Sequence, residues 1–159
     1  MSGTADAGSP TIRGTQYVSV RLNGQLFGLP IDRVRDVFIP DNISLVPLAG
    51  AKIAGVLNLR GRILTAIDLS RALDVPSMNQ NNAERPAVSI AYANESYGFL
   101  IDTVGEVVTV PPDGLEPNPV NLDPAWAQVS KGTCQLEEEL LVVLDPDAVI
   151  EGLLGRDAA

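Results

Sequence analysis

The chain has 159 residues, of which 45% are hydrophobic, 19% are charged and 4% are aromatic, and its formal net charge is −9. This length suits one ordinary globular domain or two small lobes with an aliphatic core. The acidic surface repels phosphate backbones, which argues against nucleic-acid binding, and no apolar run reaches the roughly 20 residues that a membrane helix needs. The absence of histidine excludes histidine-dependent triads and the usual zinc sites.

The beginning of the chain predicts an unstructured segment. Residues 1–15 are small and polar and are punctuated by glycine and proline, so we expect them to be disordered. They lack the basic-then-apolar pattern of an export signal. Cys134 is the one cysteine of the sequence, so no internal disulfide can form. We therefore expect a cytoplasmic protein, and the sequence predicts no cofactor and no metal site.

The first ordered element is predicted to be a β-hairpin. Residues 17–22 alternate imperfectly between apolar and polar side chains, as a half-buried strand does. Asn23-Gly24 is a strong indication of a two-residue turn, and residues 25–31 then form the return strand. Because Pro30 lies in this return strand, we expect the strand to occupy a sheet edge or to contain a bulge.

A second hairpin is predicted between residues 55 and 69. Two short runs of branched apolar side chains flank Asn58-Leu59-Arg60-Gly61, and the glycine allows a tight turn at this point. The turn would display Arg60 and Arg62 on a rigid platform, which suits recognition better than chemistry. The alternative is that these arginines are only solvated surface side chains.

A short helix and a linker are predicted to follow the second hairpin. Asp68 is placed to cap the N-terminus of a helical segment at residues 69–73. Residues 74–86 are polar and contain prolines, and we interpret them as a linker at the boundary between two halves of the chain.

The pattern of the first half recurs in the second half. Residues 17–38 align without a gap with residues 87–108, and residues 63–68 align with residues 140–145. The second copy has its extra residues in a proline-rich stretch, 111–124. Such a duplication predicts an all-β fold with short helices, in which two similar small β-barrels lie side by side. The predicted units are lobe 1 over residues 16–80 and lobe 2 over residues 81–154, the latter with a C-terminal helix that begins at Pro146.

The two copies differ in charge at the hairpin turn. The turn that contains Arg60 aligns with Gly132 to Glu139, which ends in three glutamates. Residues 1–76 carry 8 basic and 6 acidic side chains, whereas residues 77–159 carry 3 and 14. A purely structural turn should be alike in both copies, so we expect the function to lie at the basic turn. Opposite charges at the two ends could steer different partners.

A small enzyme is the alternative that the residues leave open. It would use carboxylates in the cleft between the lobes, since acidic side chains are plentiful. We interpret Glu137-Glu138-Glu139 as a solvated hairpin tip instead. Trp126, the one tryptophan, is interpreted as an anchor for its loop. A cleft lined by valine, leucine and isoleucine would argue against the enzyme.

Several motifs of the chain resemble those of the CheW-type chemotaxis coupling proteins. The resemblance covers nearly all of residues 16–154 and is most specific at Gly55-Val56-Leu57-Asn58-Leu59-Arg60-Gly61. Further matching stretches are Phe27 to Ile31, Ile67 to Leu69 and, in the second copy, Tyr97 to Asp102. Thr65 departs from the family, which usually has proline there, and Asp36 replaces the commoner glutamate.

The resemblance implies a fold of two five-stranded, Src-homology-3-like barrel lobes and an adaptor without catalysis. Such proteins bind the cytoplasmic tips of chemoreceptors and the regulatory domain of the CheA histidine kinase, in arrays on the inner face of the membrane. They have no cofactor, do not insert into the membrane and do not bind nucleic acid. The residues that match the family's receptor contacts are Arg60, Asn58, Val34, Asp36, Gly55 and Val104, whereas no kinase contact can be assigned. A CheW-like coupler of another pathway is the remaining alternative.

Overall fold

In the computed structural model, the described residues are 14–40, 43–44, 52–76 and 85–153. This part of the chain forms ten strands and three short α-helices. The strands are β1 (Thr15–Leu22), β2 (Gln25–Pro30), β3 (Val34–Phe38), β4 (Ile53–Leu59), β5 (Arg62–Asp68), β6 (Ala87–Tyr92), β7 (Glu95–Leu100), β8 (Thr103–Val110), β9 (Ser130–Leu136) and β10 (Glu139–Leu144), and the helices are α1 (Leu69–Ala72), α2 (Pro124–Ala127) and α3 (Pro146–Leu153).

The strands form two five-stranded sheets. The first sheet has the order β8-β1-β2-β10-β9 and the second has the order β3-β6-β7-β5-β4. The two orders are the same if each strand is replaced by its equivalent from the other copy, as the duplication in the sequence predicts. The predicted fold class, mainly β with short helices and two similar five-stranded units, is therefore confirmed.

The sheets do not follow the two halves of the sequence. Each sheet takes three strands from one copy and its central hairpin from the other, so neither residues 16–80 nor residues 81–154 form a sheet alone. The chain passes between the sheets at Ile31–Arg33, a short 3-10 helix, and again at Ile101 and Asp102. The predicted division describes the sequence repeat, and the sheets exchange strands across it.

This exchange explains why the predicted strands alternate imperfectly. Val18 and Val20 of β1 lie in a core shared by the two sheets, whereas Tyr17 packs within the first sheet's own cluster. A strand that is covered on both faces needs apolar side chains on both faces. The buried residues of the shared core are Val18, Val20, Leu22, Phe27, Leu29, Ile67, Leu69, Leu73, Val88, Ile90, Tyr97, Phe99, Ile101, Val142, Leu144, Val149 and Ile150.

The expectation for Pro30 was wrong. Pro30 is the last residue of β2, and β2 lies inside the first sheet between β1 and β10 rather than at an edge. The parallel pairing with β10 involves only Phe27 and Gly28, so it ends before the proline. The sheet therefore needs no ladder hydrogen bond from the missing N–H group of Pro30.

Most of the remaining predicted elements are present. Asp68 caps α1 by accepting a hydrogen bond from the backbone N–H of Arg71, and α3 begins at Pro146 as predicted. Trp126 anchors its loop, because its indole N–H donates to the carbonyl of Leu73 over 2.8 Å and its ring packs edge-on against Phe27. The predicted disordered segment lies outside the described residues, except for residues 14 and 15.

Candidate functional site at the basic hairpin turn

The turn between β4 and β5 projects Arg60 into solvent. Arg60 and Gly61 both have positive φ, 54° and 84°, which is the conformation of a two-residue hairpin turn. The side-chain oxygen of Asn58 accepts a hydrogen bond from the backbone N–H of Gly61 over 2.9 Å. Asn58 therefore holds the turn from below, and the side chain of Arg60 remains 74% exposed.

Arg60 contacts the edge strand β3 through Asp36. Its Nη1 lies 3.2 Å from Oδ1 of the Asp36 carboxylate. An ion pair between side chains this exposed contributes less than about 1 kcal/mol to stability. The contact therefore orients the guanidinium toward β3, while most of its hydrogen-bond donors stay available to a partner.

The neighbouring side chains make the turn both basic and apolar. Arg62 donates a hydrogen bond from Nη2 to the hydroxyl of Ser96 over 2.7 Å and is exposed. Ile63 is an exposed large hydrophobic residue on β5 and pairs with Asn58 across the hairpin. The surface around Arg60 thus combines guanidinium groups with an aliphatic side chain.

Val34 and Val104 occupy equivalent positions in the two sheets. Val34 is the first residue of edge strand β3 and Val104 is the second residue of edge strand β8, each just after the chain has crossed between the sheets. Val34 is half-buried against the shared core, and Val104 is 40% exposed. The structure brings Arg60, Asn58 and Asp36 together and places Val34 on the same strand as Asp36, whereas Val104 belongs to the other sheet.

Gly55 is buried, and its surroundings give it a structural role. Its φ is +151°, and a Cβ atom at this position would overlap the carbonyl oxygen of Ser44. Ser44 pairs with Val56 through two backbone hydrogen bonds of 2.8 Å each. Gly132, the equivalent residue of the second copy, has φ +147°, and a Cβ atom there would lie 2.6 Å from the carbonyl oxygen of Glu116. Because both copies keep the glycine and its geometry, Gly55 permits the close approach of a covering loop.

The equivalent turn between β9 and β10 is acidic and has a different backbone. Neither Glu137 nor Glu138 is among the described residues with positive φ. Glu139 forms two hydrogen bonds with the guanidinium of Arg21, of 2.7 and 2.8 Å. These hydrogen bonds lower the pKa of Glu139 from its ordinary value. Glu137 and Glu138 are exposed, so this tip presents only negative charge.

A buried ion pair was missed at the sequence level. Arg85, predicted to lie in the polar linker, has a side chain only 1% exposed, and its Nη1 lies 3.1 Å from Oδ2 of Asp68. It also donates a hydrogen bond to the carbonyl of Leu100 over 3.1 Å. Burial raises the pKa of Asp68, but hydrogen bonds from Arg85 and Ser70 outweigh it, so the pKa lies below its ordinary value. An arginine before a proline carries no sequence pattern that predicts burial.

The described residues contain neither a cluster of metal ligands nor a helix that could span a membrane. They contain no group of three or more histidine, cysteine, aspartate or glutamate side chains that could hold a metal ion. No helix within them is long and apolar enough to cross a membrane. Asp68 is the one carboxylate among their buried residues, and Arg85 already pairs with it.

Comparison with known proteins gives a consistent result. The family model described as CheW-like domain matches residues 16–153. The chain is 26% identical to the chemotaxis protein CheW of Thermotoga maritima over 158 residues, which cover 99% of each chain. It is 25% identical to CheW of Bacillus subtilis over 138 residues, which cover 87% of this chain and 88% of that protein.

Two further similarities concern a kinase and a solved structure. Over 85 residues the chain is 32% identical to the chemotaxis protein CheA of Salmonella typhimurium, which covers 54% of this chain and 12% of CheA. The crystal structure of the scaffolding protein TtCheW from Thermoanaerobacter tengcongensis superposes with a TM-score of 0.73 at 22% identity. That match covers 83% of this chain and 89% of TtCheW, and it supports the fold alone.

Proposed function

The chain belongs to the CheW-like domain family, and we infer that it is an adaptor that couples chemoreceptors to the histidine kinase CheA in chemotaxis signalling. The family match over residues 16–153 carries this inference. Relatives that match most of the chain are named as chemotaxis proteins, so no observation favours a coupler of another pathway. We place the adaptor on the cytoplasmic side of the membrane, where receptor tips and kinase meet.

The basic hairpin turn is the proposed contact for the receptor tip. Arg60 is rigidly presented and exposed, and a guanidinium can bind a carboxylate or a backbone carbonyl in a fixed orientation. Asp36 and Asn58 fix the position of Arg60. Exposed aliphatic side chains on β3 and β8, among them Val104, supply apolar area for a helical partner.

Two of the residues that match the family's receptor contacts, Val34 and Gly55, have structural roles in this proposal. Val34 is half-buried, so it supports β3 from the core and offers a partner only part of its side chain. Gly55 is buried beneath Ser44 and contributes through the shape of β4. The direct receptor contacts proposed are therefore Arg60, Asn58, Asp36 and Val104.

An enzyme is not supported by the interior between the sheets. The shared core is aliphatic and aromatic, and the buried carboxylate Asp68 is already paired with Arg85. Acid–base catalysis needs a carboxylate that can reach a substrate and change its protonation state. The Asp68–Arg85 pair, buried and hydrogen-bonded on several sides, is suited to stabilising the fold instead.

The proposal is tested by titration calorimetry with two partners. A receptor signalling-tip fragment and the regulatory domain of CheA are titrated separately into wild type and into Arg60→Glu. We expect both partners to bind wild type, and we expect the substitution to weaken receptor binding by at least tenfold, about 1.4 kcal/mol, while kinase binding is kept. The reversed charge would repel whatever acidic or carbonyl group Arg60 contacts.

Lys52→Glu is the matched control for this experiment. Lys52 is exposed and lies just before β4, at the opposite end of the same hairpin from Arg60. The substitution makes the same change in net charge, so it separates a local contact from a general electrostatic effect. Equal losses from both substitutions would contradict a specific contact at Arg60, and failure of wild type to bind either partner would contradict the adaptor itself.

A further inference from the structure

The turn between β1 and β2 contains a reactive dipeptide that the adaptor function does not use. Asn23 is the one asparagine in the sequence that is followed by glycine. Both Asn23 and Gly24 are exposed and have positive φ, 51° and 84°. Apart from the two adjoining residues, no atom lies within 4 Å of the point where a Cβ atom of Gly24 would be, so no group from elsewhere in the described chain shields this side of the turn.

Asparagine is a thermolabile residue, and a following glycine removes the steric protection that a side chain gives to the next backbone nitrogen. In the reaction, the backbone nitrogen of Gly24 bonds to the side-chain carbonyl carbon of Asn23, and the bond from that carbon to Nδ2 breaks. Ammonia leaves, taking up the proton from the Gly24 nitrogen, and a succinimide ring remains. Water then opens the ring at one of its two carbonyls and gives aspartate or isoaspartate.

The turn is held closed by Asp102 at the crossing between β7 and β8. The backbone N–H of Asn23 donates to Oδ2 of Asp102 over 2.8 Å. The backbone N–H of Asp102 donates in turn to the carbonyl of Arg21 over 3.1 Å. From the other side, Arg21 donates from Nη1 to the carbonyl of Gly24 over 3.1 Å. Closing the succinimide ring requires the backbone of Asn23 to rotate, and these hydrogen bonds oppose that rotation.

We propose that Asn23 is a site of self-deamidation whose rate is limited by the two hydrogen bonds between Asp102 and the turn. We call these two hydrogen bonds, from the N–H of Asn23 to Asp102 and from the N–H of Asp102 to the carbonyl of Arg21, the Asp102 clasp. The reaction needs only water, and its product adds one negative charge. The new carboxylate arises on residue 23 itself, whose backbone N–H group binds the Asp102 carboxylate, so the two like charges repel. The isoaspartate product also lengthens the main chain by one atom and cannot keep the paired geometry of β1 and β2.

The consequence reaches the proposed receptor surface through β8. Asp102 immediately precedes β8, and Val104 is the second residue of that strand. Loosening the clasp therefore loosens the start of an edge strand that carries a proposed receptor contact. This last step rests on the proposed function, whereas the modification and its control by Asp102 do not.

The second copy supplies internal controls. The equivalent turn contains Ala93 and Asn94, which also have positive φ, but Asn94 is followed by Glu95. Asp32 is the sequence equivalent of Asp102, and it is exposed. The same protein sample therefore contains a second turn asparagine, Asn94, which aligns with Gly24 and has a bulky successor, and an equivalent aspartate, Asp32, for substitution.

The experiment incubates the full chain at physiological temperature in mildly alkaline buffer and follows each asparagine by peptide mass spectrometry. We expect Asn23 to convert to aspartate and isoaspartate while Asn94 stays intact, and Asp102→Ala to raise the rate at Asn23 several-fold while Asp32→Ala leaves it unchanged. An intact Asn23, or conversion of Asn94 at the same rate, would overturn the site. An unchanged rate in Asp102→Ala would overturn the clasp.

Asn23→Asp and Asn94→Asp test the consequence without waiting for the reaction. Thermal unfolding should show a lower midpoint for Asn23→Asp than for Asn94→Asp, because only the former places a carboxylate beside Asp102. Equal midpoints would overturn the proposed effect on the turn. Mass and unfolding are read without any partner, so these results are independent of the calorimetry on Arg60.

Discussion

The two hairpin tips of this protein occupy equivalent positions in the two sheets and have opposite charge. The tip of β4 and β5 presents Arg60 and Arg62, whereas the tip of β9 and β10 presents Glu137 and Glu138. Beneath both tips the backbone is similar, since Gly55 and Gly132 each have a positive φ and lie close to a backbone carbonyl of a covering segment. The duplication has kept the residues that shape the strands, while the exposed turns differ.

The comparison also separates two kinds of asymmetry. The tips differ in charge at the surface, where exposed charges change the free energy of unfolding little. The pair of Asp68 and Arg85 is an asymmetry of the interior, because the equivalent Asp145 is only half-buried and has no arginine within salt-bridge distance among the described residues. Substitutions at equivalent positions can therefore show which differences concern partners and which concern stability.

The largest effect is expected from Arg85→Ala. The substitution removes the buried cation of Asp68 and leaves only the exposed Arg71, whose Nε lies 3.4 Å from Oδ2 of Asp68. Breaking a buried ion pair by removing one partner typically costs about 3–5 kcal/mol in the free energy of unfolding. Urea denaturation of the purified chain measures this loss. Asp145→Ala is the control in the other copy, and it should cost only about 1 kcal/mol, the price of a lost helix cap. Equal losses would contradict the asymmetry of the interior.

Gly55→Ala and Gly132→Ala should destabilise the protein by similar amounts. Each adds a Cβ atom against a backbone carbonyl at a positive φ, and strain of this kind costs on the order of 1–3 kcal/mol. Thermal unfolding midpoints of the two variants provide the comparison. A Gly55→Ala variant with wild-type stability and reduced receptor affinity would instead make Gly55 a direct contact.

The Asp68 pair should also affect stability at acid pH. The pKa of Asp68 is lowered in the folded protein, so its pairing stabilises the fold above the unfolded value of about 3.8 and is lost as the pH falls through the folded pKa. We expect Asp68→Asn to lose less stability than wild type on acidification from about pH 5 to pH 2. Unfolding midpoints at a series of pH values measure the difference, and parallel curves would contradict it.

The smallest effect is expected in the turn of the β6–β7 hairpin. Ala93 has φ 51°, where a residue with a Cβ atom is strained, while Asn23 fills the equivalent position in the first copy. Ala93→Gly should therefore raise the free energy of unfolding by about 0.5–1 kcal/mol. Gly24→Ala, which introduces the strain in the other turn, should lower it. Chemical denaturation of both variants decides this, and destabilisation by Ala93→Gly would contradict it.

The predictions from the sequence were correct for features that depend on a few neighbouring residues, namely turns, a helix cap and the start of a helix. The turns at Asn23-Gly24 and Arg60-Gly61 were predicted from short stretches whose residues allow positive φ. The cap at Asp68 and the start of α3 at Pro146 were predicted from residues that suit those positions. The cluster of Arg60, Asn58 and Asp36 depends on β3 as well, and the family resemblance named its members before the structure placed them together.

The sequence by itself determined the two hairpins of the first half, their turns and the existence of two similar units, because these depend on the periodicity and conformational freedom of neighbouring residues. It assigned no strand to residues 34–38, where the structure has β3. Only the tertiary structure decided which strands share a sheet, since the pairing of β2 with β10 and of β5 with β7 joins residues far apart in the chain. It also decided the burial of Arg85 and the clasp of Asp102 on Asn23. Such contacts form between distant side chains, and no pattern along the chain records them.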